Sequence, residues 1–211
     1  MTKSGRIVDF WNRADGPLNN GWRSMHEDQA VWWDPVELRS GSPVNIDPDP
    51  GPIALPTGSG ARAGAYRDFG TQFSNHFCVA VLWNGKHQAP GFPIACINSS
   101  HSDYGLAFCY EPEFSGGAYV LWALGRQPNE IRIVAAAKGG DHIDGTPMWH
   151  RMLIENGRVT CFADDQKILS SLIPDALRGS VIHGFGIDVN PIAGRPPNVP
   201  VLGGPFVIEA L

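Results

Sequence analysis

Along this chain apolar residues fall in short runs cut by Gly, Pro, Asn and Asp, a punctuation that suits strands and tight turns more than helices. Two runs, Ile7 to Trp11 and Trp22 onward, flank a segment that cannot continue a strand. Asn12, Asp15, Gly16 and Pro17 favour turns there, and Asn20-Gly21 favours positive φ. The chain must turn and re-enter, so a rigid corner with an aromatic on each side is predicted. Asp15 can accept hydrogen bonds from the amides that follow it, and Arg13 presents a planar fork to a nearby carboxylate. Arg23 to Leu38, with Val31-Trp32-Trp33, reads as one or two strands. From Arg39 to Gly60, Pro43, Pro48, Pro50, Pro52 and Pro56 alternate with Gly and Asp, and such a stretch cannot donate a full ladder of hydrogen bonds. A long loop is predicted at 39–60, and a second Pro-rich one at 190–205.

Phe77 to Trp83 is almost continuously apolar and ends at Asn84-Gly85, which implies burial on both faces, or on one face with a loop covering the other. Pro93 to Asn98 with Tyr104 to Tyr110, and Ala118 to Leu124 with Glu130 to Ala137, are predicted hairpins. The clearest hairpin joins Met148–Ile154 to Arg158–Phe162 through Asn156-Gly157. Lys167 to Leu169, one helical turn near Asp175, Val181 to Val189 and Phe206 to Leu211 complete the chain. No repeat is visible. Roughly a dozen short strands argue for an all-β fold, an antiparallel two-sheet β-sandwich or jelly roll with about one helical turn. Residues 1–211 are expected to form a single domain.

Composition agrees with this. Charged residues make up only 18% of the chain, while Gly 25 and Pro 18 are high. The net charge of -5 comes without any run of Lys or Arg, so nucleic acid is not an expected partner. Lys3 and Arg6 precede too short an apolar stretch for a signal peptide, and no run of eighteen apolar residues exists. A soluble protein made in the cytoplasm, without membrane insertion, is expected. Cys78, Cys96, Cys109 and Cys161 lie in apolar runs and read as buried free thiols. Cys96 and Cys109 flank Ser99 to Asp103, so a cross-strand disulfide there is geometrically conceivable.

Chemistry-bearing residues are sparse. Asp141-His142-Ile143-Asp144-Gly145 and His101-Ser102-Asp103 put oxygen ligands in turns, as calcium sites do, although Asp at turns commonly caps backbone amides instead. Asp141 and Asp144 are the calcium candidates. The histidines lack zinc-ligand spacing. No Gly-x-Ser-x-Gly elbow, phosphate-binding loop or dinucleotide fingerprint occurs. Seven Trp and four Tyr make sugar binding plausible, since rings offer a sugar an apolar face while Asn, Asp and His fix its hydroxyls. Trp83, Asn84 and His87, with His101, Asp103 and Tyr104, are the carbohydrate-binding candidates; Trp11, Trp22, Trp122 and Trp149 read as core.

The order Asp9-Phe10, Asn12-Arg13-Ala14-Asp15-Gly16-Pro17-Leu18 and Gly21-Trp22 resembles the opening signature of concanavalin-A-like (laminin-G-like) jelly rolls, including those in minor tail proteins of actinobacterial (mycobacterial) phages. Ala65 to Phe69, the hairpin around Asn156-Gly157, Asp175-Ala176-Leu177 before Gly179, and Phe206-Val207-Ile208 extend the resemblance. It implies that the first and last strands pair, with Asp9, Asn12, Arg13, Asp15, Gly16 and Trp22 as a fold signature. Glycoside hydrolases of this fold use a Glu-x-Asp-x-x-Glu strand, and no such triplet is present; Glu111-Pro112-Glu113 is the nearest approach. The resemblance therefore implies a non-catalytic minor tail or tail-tip protein of a phage virion, assembled in the host cytoplasm. Its expected partners are other phage tail proteins and host cell-wall glycan, and a homo-oligomer or larger assembly is expected. A glycan-active enzyme and a spacer without ligand are the rival readings.

Overall fold

The computed structural model describes residues 5–10, 16–25, 36–39, 53–56, 62–83, 91–100, 103–111, 117–126, 130–139, 146–188 and 205–211. The strands in chain order are β1 (Arg6–Asp9), β2 (Gly16–Pro17), β3 (Arg23–Ser24), β4 (Val36–Arg39), β5 (Ile53–Pro56), β6 (Arg62–Asp68), β7 (His76–Trp83) and β8 (Gly91–Ala95). They continue as β9 (Asp103–Glu111), β10 (Ala118–Gly125), β11 (Arg132–Lys138), β12 (Met148–Glu155), β13 (Arg158–Ala163), β14 (Gln166–Leu172), β15 (Ile182–Asp188) and β16 (Phe206–Ala210). Short 3-10 turns lie at Thr71–Phe73 and Asp175–Leu177. The protein is thus an antiparallel two-sheet jelly roll. One sheet runs β1-β16-β7-β12-β13-β14, the other β11-β10-β9-β8-β15-β6-β3, and a small third sheet is β2-β4-β5.

Turn chemistry sets the hairpins. Asn156 and Gly157 adopt φ 50 and 71, so β12 and β13 pair from Glu155↔Arg158 to His150↔Ala163, the left-handed pair that a two-residue hairpin requires. Asn19, Asn20 and Gly21 also have positive φ, and the Trp22 amide donates to Asn19 O at 3.0 Å. The first and last strands pair as the resemblance implied, Ile7↔Ile208 and Asp9↔Phe206.

The core between the sheets follows the period of two that strands impose. Phe77, Val79, Val81 and Trp83 from β7 and Met152 and Ile154 from β12 face Leu106, Phe108 and Tyr110 from β9 and Phe185 and Ile187 from β15. Trp22 sits where β1, β15 and β16 converge. Its ring makes edge-on contacts with Phe69, Phe185 and Phe206 at 5.9, 5.3 and 5.0 Å, and its Nε1 donates to Asp9 Oδ2 at 2.8 Å. The opening stretch therefore supplies a buried anchor through Asp9 and Trp22.

One expectation changes. The Pro-rich stretch at 39–60 is not all loop, because Ile53–Pro56 forms β5 against β4 in the small sheet. Pro56 is compatible with this because it ends an edge strand, where no ladder donor is required. Cys96 and Cys109 are not bridged, and all four thiols are free. The β8–β9 register, Ile94↔Ala107 and Ala95↔Leu106, carries Cys109 three residues past the partner of Ala95.

Candidate functional site

The outer face of the seven-stranded sheet is itself apolar and buried. Tyr66, Phe92, Ile94, Ala107, Cys109 and Leu124 form a second cluster there, with Trp122 packed against it. Gly184 and Gly186 on β15 keep this surface close-packed: a Cβ on Gly184 would collide with the Ala65 carbonyl, and one on Gly186 with the Phe92 ring. Glu111 closes β9 on this face, accepting from Trp122 Nε1 at 3.3 Å and from the Cys109 thiol at 3.2 Å.

The six-stranded sheet differs. Its register sets outward-facing side chains in rows across the strands. One row is Val8, Val207, Ala80, Arg151 and Phe162, and the next is Arg6, Glu209, Cys78, Leu153 and Thr160. Because Ala80 and Cys78 are small while Arg6 and Trp149 are long, the middle of the face sinks into a groove of about 480 Å³. That volume lies within the range of roughly 300–1,000 Å³ usual for small-molecule sites.

Trp149, Arg151, Asp164 and Asp165 form one wall of it. The backbones of Trp149 and Asp164 are locked together, since the Asp164 amide donates to Trp149 O at 2.8 Å and the Trp149 amide to Asp164 Oδ1 at 2.9 Å. Asp164 takes φ 50 in the β13–β14 turn. Arg151 Nη2 donates to Asp164 O and pairs with Asp165 Oδ1 at 2.6 Å, and the guanidinium lies 5.9 Å from the Phe162 ring centre. Across the groove Arg6 and Glu209 are cross-strand partners without an ion pair between them. The Cys78 thiol in the floor is pushed up to about 11, chiefly by burial, with Arg151 opposing and Glu209 adding to the shift.

The residues singled out from sequence are not brought together here. Trp83 is fully buried, stacked on His150 with ring centres 5.5 Å apart and interplanar angle 18°. Tyr104 is 1% exposed in the outer cluster of the other sheet. Neither ring offers a sugar its face, which corrects the expectation of exposed aromatics. Trp83 follows Phe77, Val79 and Val81 onto the core side of β7. Conversely Trp122 and Trp149, expected in the core, are only half-buried, because both point outward from their sheets; Trp22 is buried as expected. Asp103 opens β9 opposite Gly125. Asn84, His87, His101, Glu113, the calcium candidates Asp141 and Asp144, and Trp11, Asn12, Arg13 and Asp15 lie outside the described residues. Among the described residues no cluster of His, Cys, Asp and Glu is arranged to hold a metal ion.

Two buried histidines also went unforeseen. His183 Nδ1 accepts from the Cys96 amide at 3.1 Å while its Nε2 lies 2.8 Å from Phe73 O, so the ring is neutral with its proton on Nε2. His150 Nδ1 lies 2.9 Å from Gly91 O. His150 thereby bridges the two sheets, while His183 ties β15 to the Thr71–Phe73 turn and to the end of β8, and the sequence signal for each was a polar residue at an inward-facing position.

No protein-family model matches the chain. No curated protein matches it either. Solved structures do share its fold. The carbohydrate recognition domain of Emp47p superposes with TM-score 0.59 at 10% identity, covering 98% of this chain and 95% of that one. The exoplasmic/lumenal domain of VIP36, bound to Ca2+ and Man2, gives 0.56 at 10% identity over 98% of this chain and 87% of that one. A GH16 protein of Bacteroides ovatus, in complex with a G4G4G3G product, gives 0.54 at 10% identity over 96% of each chain. At these identities the likeness concerns the jelly-roll fold.

Proposed function

We propose that the chain is a non-catalytic glycan-binding jelly roll whose site is the groove on the outer face of the six-stranded sheet. The observation that carries this reading is Trp149, held half-exposed beside Arg151, Asp164 and Asp165 by a doubly hydrogen-bonded backbone. A fixed ring next to oriented donors and acceptors is what a sugar needs, an apolar face for its C–H side and directed partners for its hydroxyls. The lectin-type and GH16 folds among its structural likenesses agree with a carbohydrate ligand. A glycan array probed with the wild-type protein and with Trp149→Ala tests this. The reading expects signals that the variant loses while its melting temperature stays put; a blank array or identical arrays would count against it.

Glycan cleavage is the second reading, favoured by the half-buried carboxylate of Glu111. Such cleavage uses two carboxyl groups roughly 5–9.5 Å apart, whereas Glu111 is engaged by Trp122 and Cys109, and among the described residues the outward positions nearest it on β9 and β10, Cys109, Ala118 and Val120, carry no acid. Polysaccharide turnover abolished by Glu111→Gln would establish the enzyme instead. We place the protein in the tail of a phage particle, where the resemblance of residues 9–22 points. Antibody labelling of purified virions at the tail tip is the expected result, and its absence would remove that placement without touching the groove.

A further inference from the structure

The groove's polar complement indicates which glycans it takes, an inference that rests on the glycan-binding reading. Three carboxylates, Asp164, Asp165 and Glu209, line it against two guanidinium groups, Arg6 and Arg151. The pairing of Asp165 with Arg151 at 2.6 Å removes one of each sign. What remains toward a ligand is Arg6 against Glu209 and Asp164, a slightly acidic surface. A sugar carboxylate or sulfate entering it meets like charge in a recess that partly excludes water, where repulsion is strengthened. Uncharged hydroxyls, in contrast, can both donate to Glu209 and accept from the guanidinium groups of Arg6 and Arg151. The floor of Ala80, Cys78 and Val207 is small and apolar, which leaves room for a ring resting against Trp149.

We infer that the groove binds an uncharged pyranose oligosaccharide, one ring against Trp149 and hydroxyls on Arg6 and Glu209, and discriminates against polyanionic glycans. Cys78 gives a direct probe, because it is the half-buried thiol in the groove floor while Cys96, Cys109 and Cys161 are buried. The raised thiol slows its alkylation, so labelling is followed by mass spectrometry at mildly alkaline pH over hours. The probes are neutral gluco-, manno- and galacto-oligosaccharides set against oligogalacturonate, on the wild-type protein and on Trp149→Ala.

The expected result is that at least one neutral series slows Cys78 labelling severalfold in the wild-type protein but not in the variant, and that oligogalacturonate has no effect. Equal or better protection by oligogalacturonate, lost in Trp149→Ala, would overturn the inference and leave the groove as a glycan site. Array binding that never protects Cys78, or protection unchanged in the variant, would overturn the inference together with the placement of the site.

Discussion

His183 makes the fold sensitive to acid, by an amount that the structure allows to be worked out. The ring is sealed between the sheets, 4.3 Å from the centre of Phe77 and stacked on Phe69 at 6.0 Å. It has the right tautomer to serve both the Phe73 carbonyl and the Cys96 amide. A second proton would sit on Nδ1 and point at the Cys96 N–H, two donors face to face in a dry site. Burial accordingly lowers the imidazole from 6.5 to about 4, with the bond to Phe73 O and the charge of Asp68 opposing the shift. A depressed histidine is fully stabilising above its unfolded value. Between pH 6.5 and 4 the unfolded chain binds a proton that the folded one refuses, so stability falls as pH falls through that window. At pH 4.5 this amounts to about 2–3 kcal/mol, or roughly 5–10 °C in melting temperature for a chain of this size. Thermal or urea melts from pH 7.5 to 4.5 on the wild-type protein and on His183→Gln isolate the effect, because Gln keeps a donor and an acceptor but cannot titrate. The variant should be less stable at pH 7.5, and the gap should narrow by about 2–3 kcal/mol at pH 4.5. A gap that stays constant across the range would refute the reasoning.

Three further substitutions test the packing. Trp83→Ala removes a fully buried ring stacked on His150 and Tyr110 and should cost about 3–5 kcal/mol by urea denaturation, whereas Trp149→Ala on the sheet surface should change stability by less than about 1 kcal/mol. Gly184→Ala places a methyl group into the Ala65 carbonyl across the β15–β6 ladder and should prevent soluble expression or lower the melting temperature by roughly 5 °C or more. Asp9→Ala strips the acceptor from buried Trp22 Nε1 and should cost about 1–3 kcal/mol, with Asp9→Asn recovering most of it in the same melts.

Local chemistry made much of the architecture legible in the sequence. Asn156-Gly157 dictated a left-handed turn, and with it the β12–β13 register; Asn20-Gly21 did the same for the corner before Trp22. The pairing of β1 with β16 came from resemblance, since no local signal joins residues two hundred positions apart. Side-chain direction was harder to read. Phe77, Val79, Val81 and Trp83 share one parity, which places Trp83 in the core, but its position beside Asn84-Gly85 suggested an exposed strand end. In Met148 to Ile154 both parities contain apolar residues, and the inward one contains His150, so the alternation did not reveal that Trp149 faces out. The groove itself was invisible. Its residues come from β1, β7, β12, β16 and the β13–β14 turn, and only the order of strands in the sheet makes neighbours of Arg6, Cys78 and Trp149.

The location of the site is tested most directly by amide chemical-shift mapping on the labelled protein during titration with the oligosaccharide that gives the strongest array signal. The groove predicts that shifts concentrate at residues 78–80, 149–151, 164–165 and 207–209 on the outer face of the six-stranded sheet, and that they vanish in Trp149→Ala. Shifts centred instead on the outer face of the seven-stranded sheet, around Glu111 and Trp122, would contradict this account.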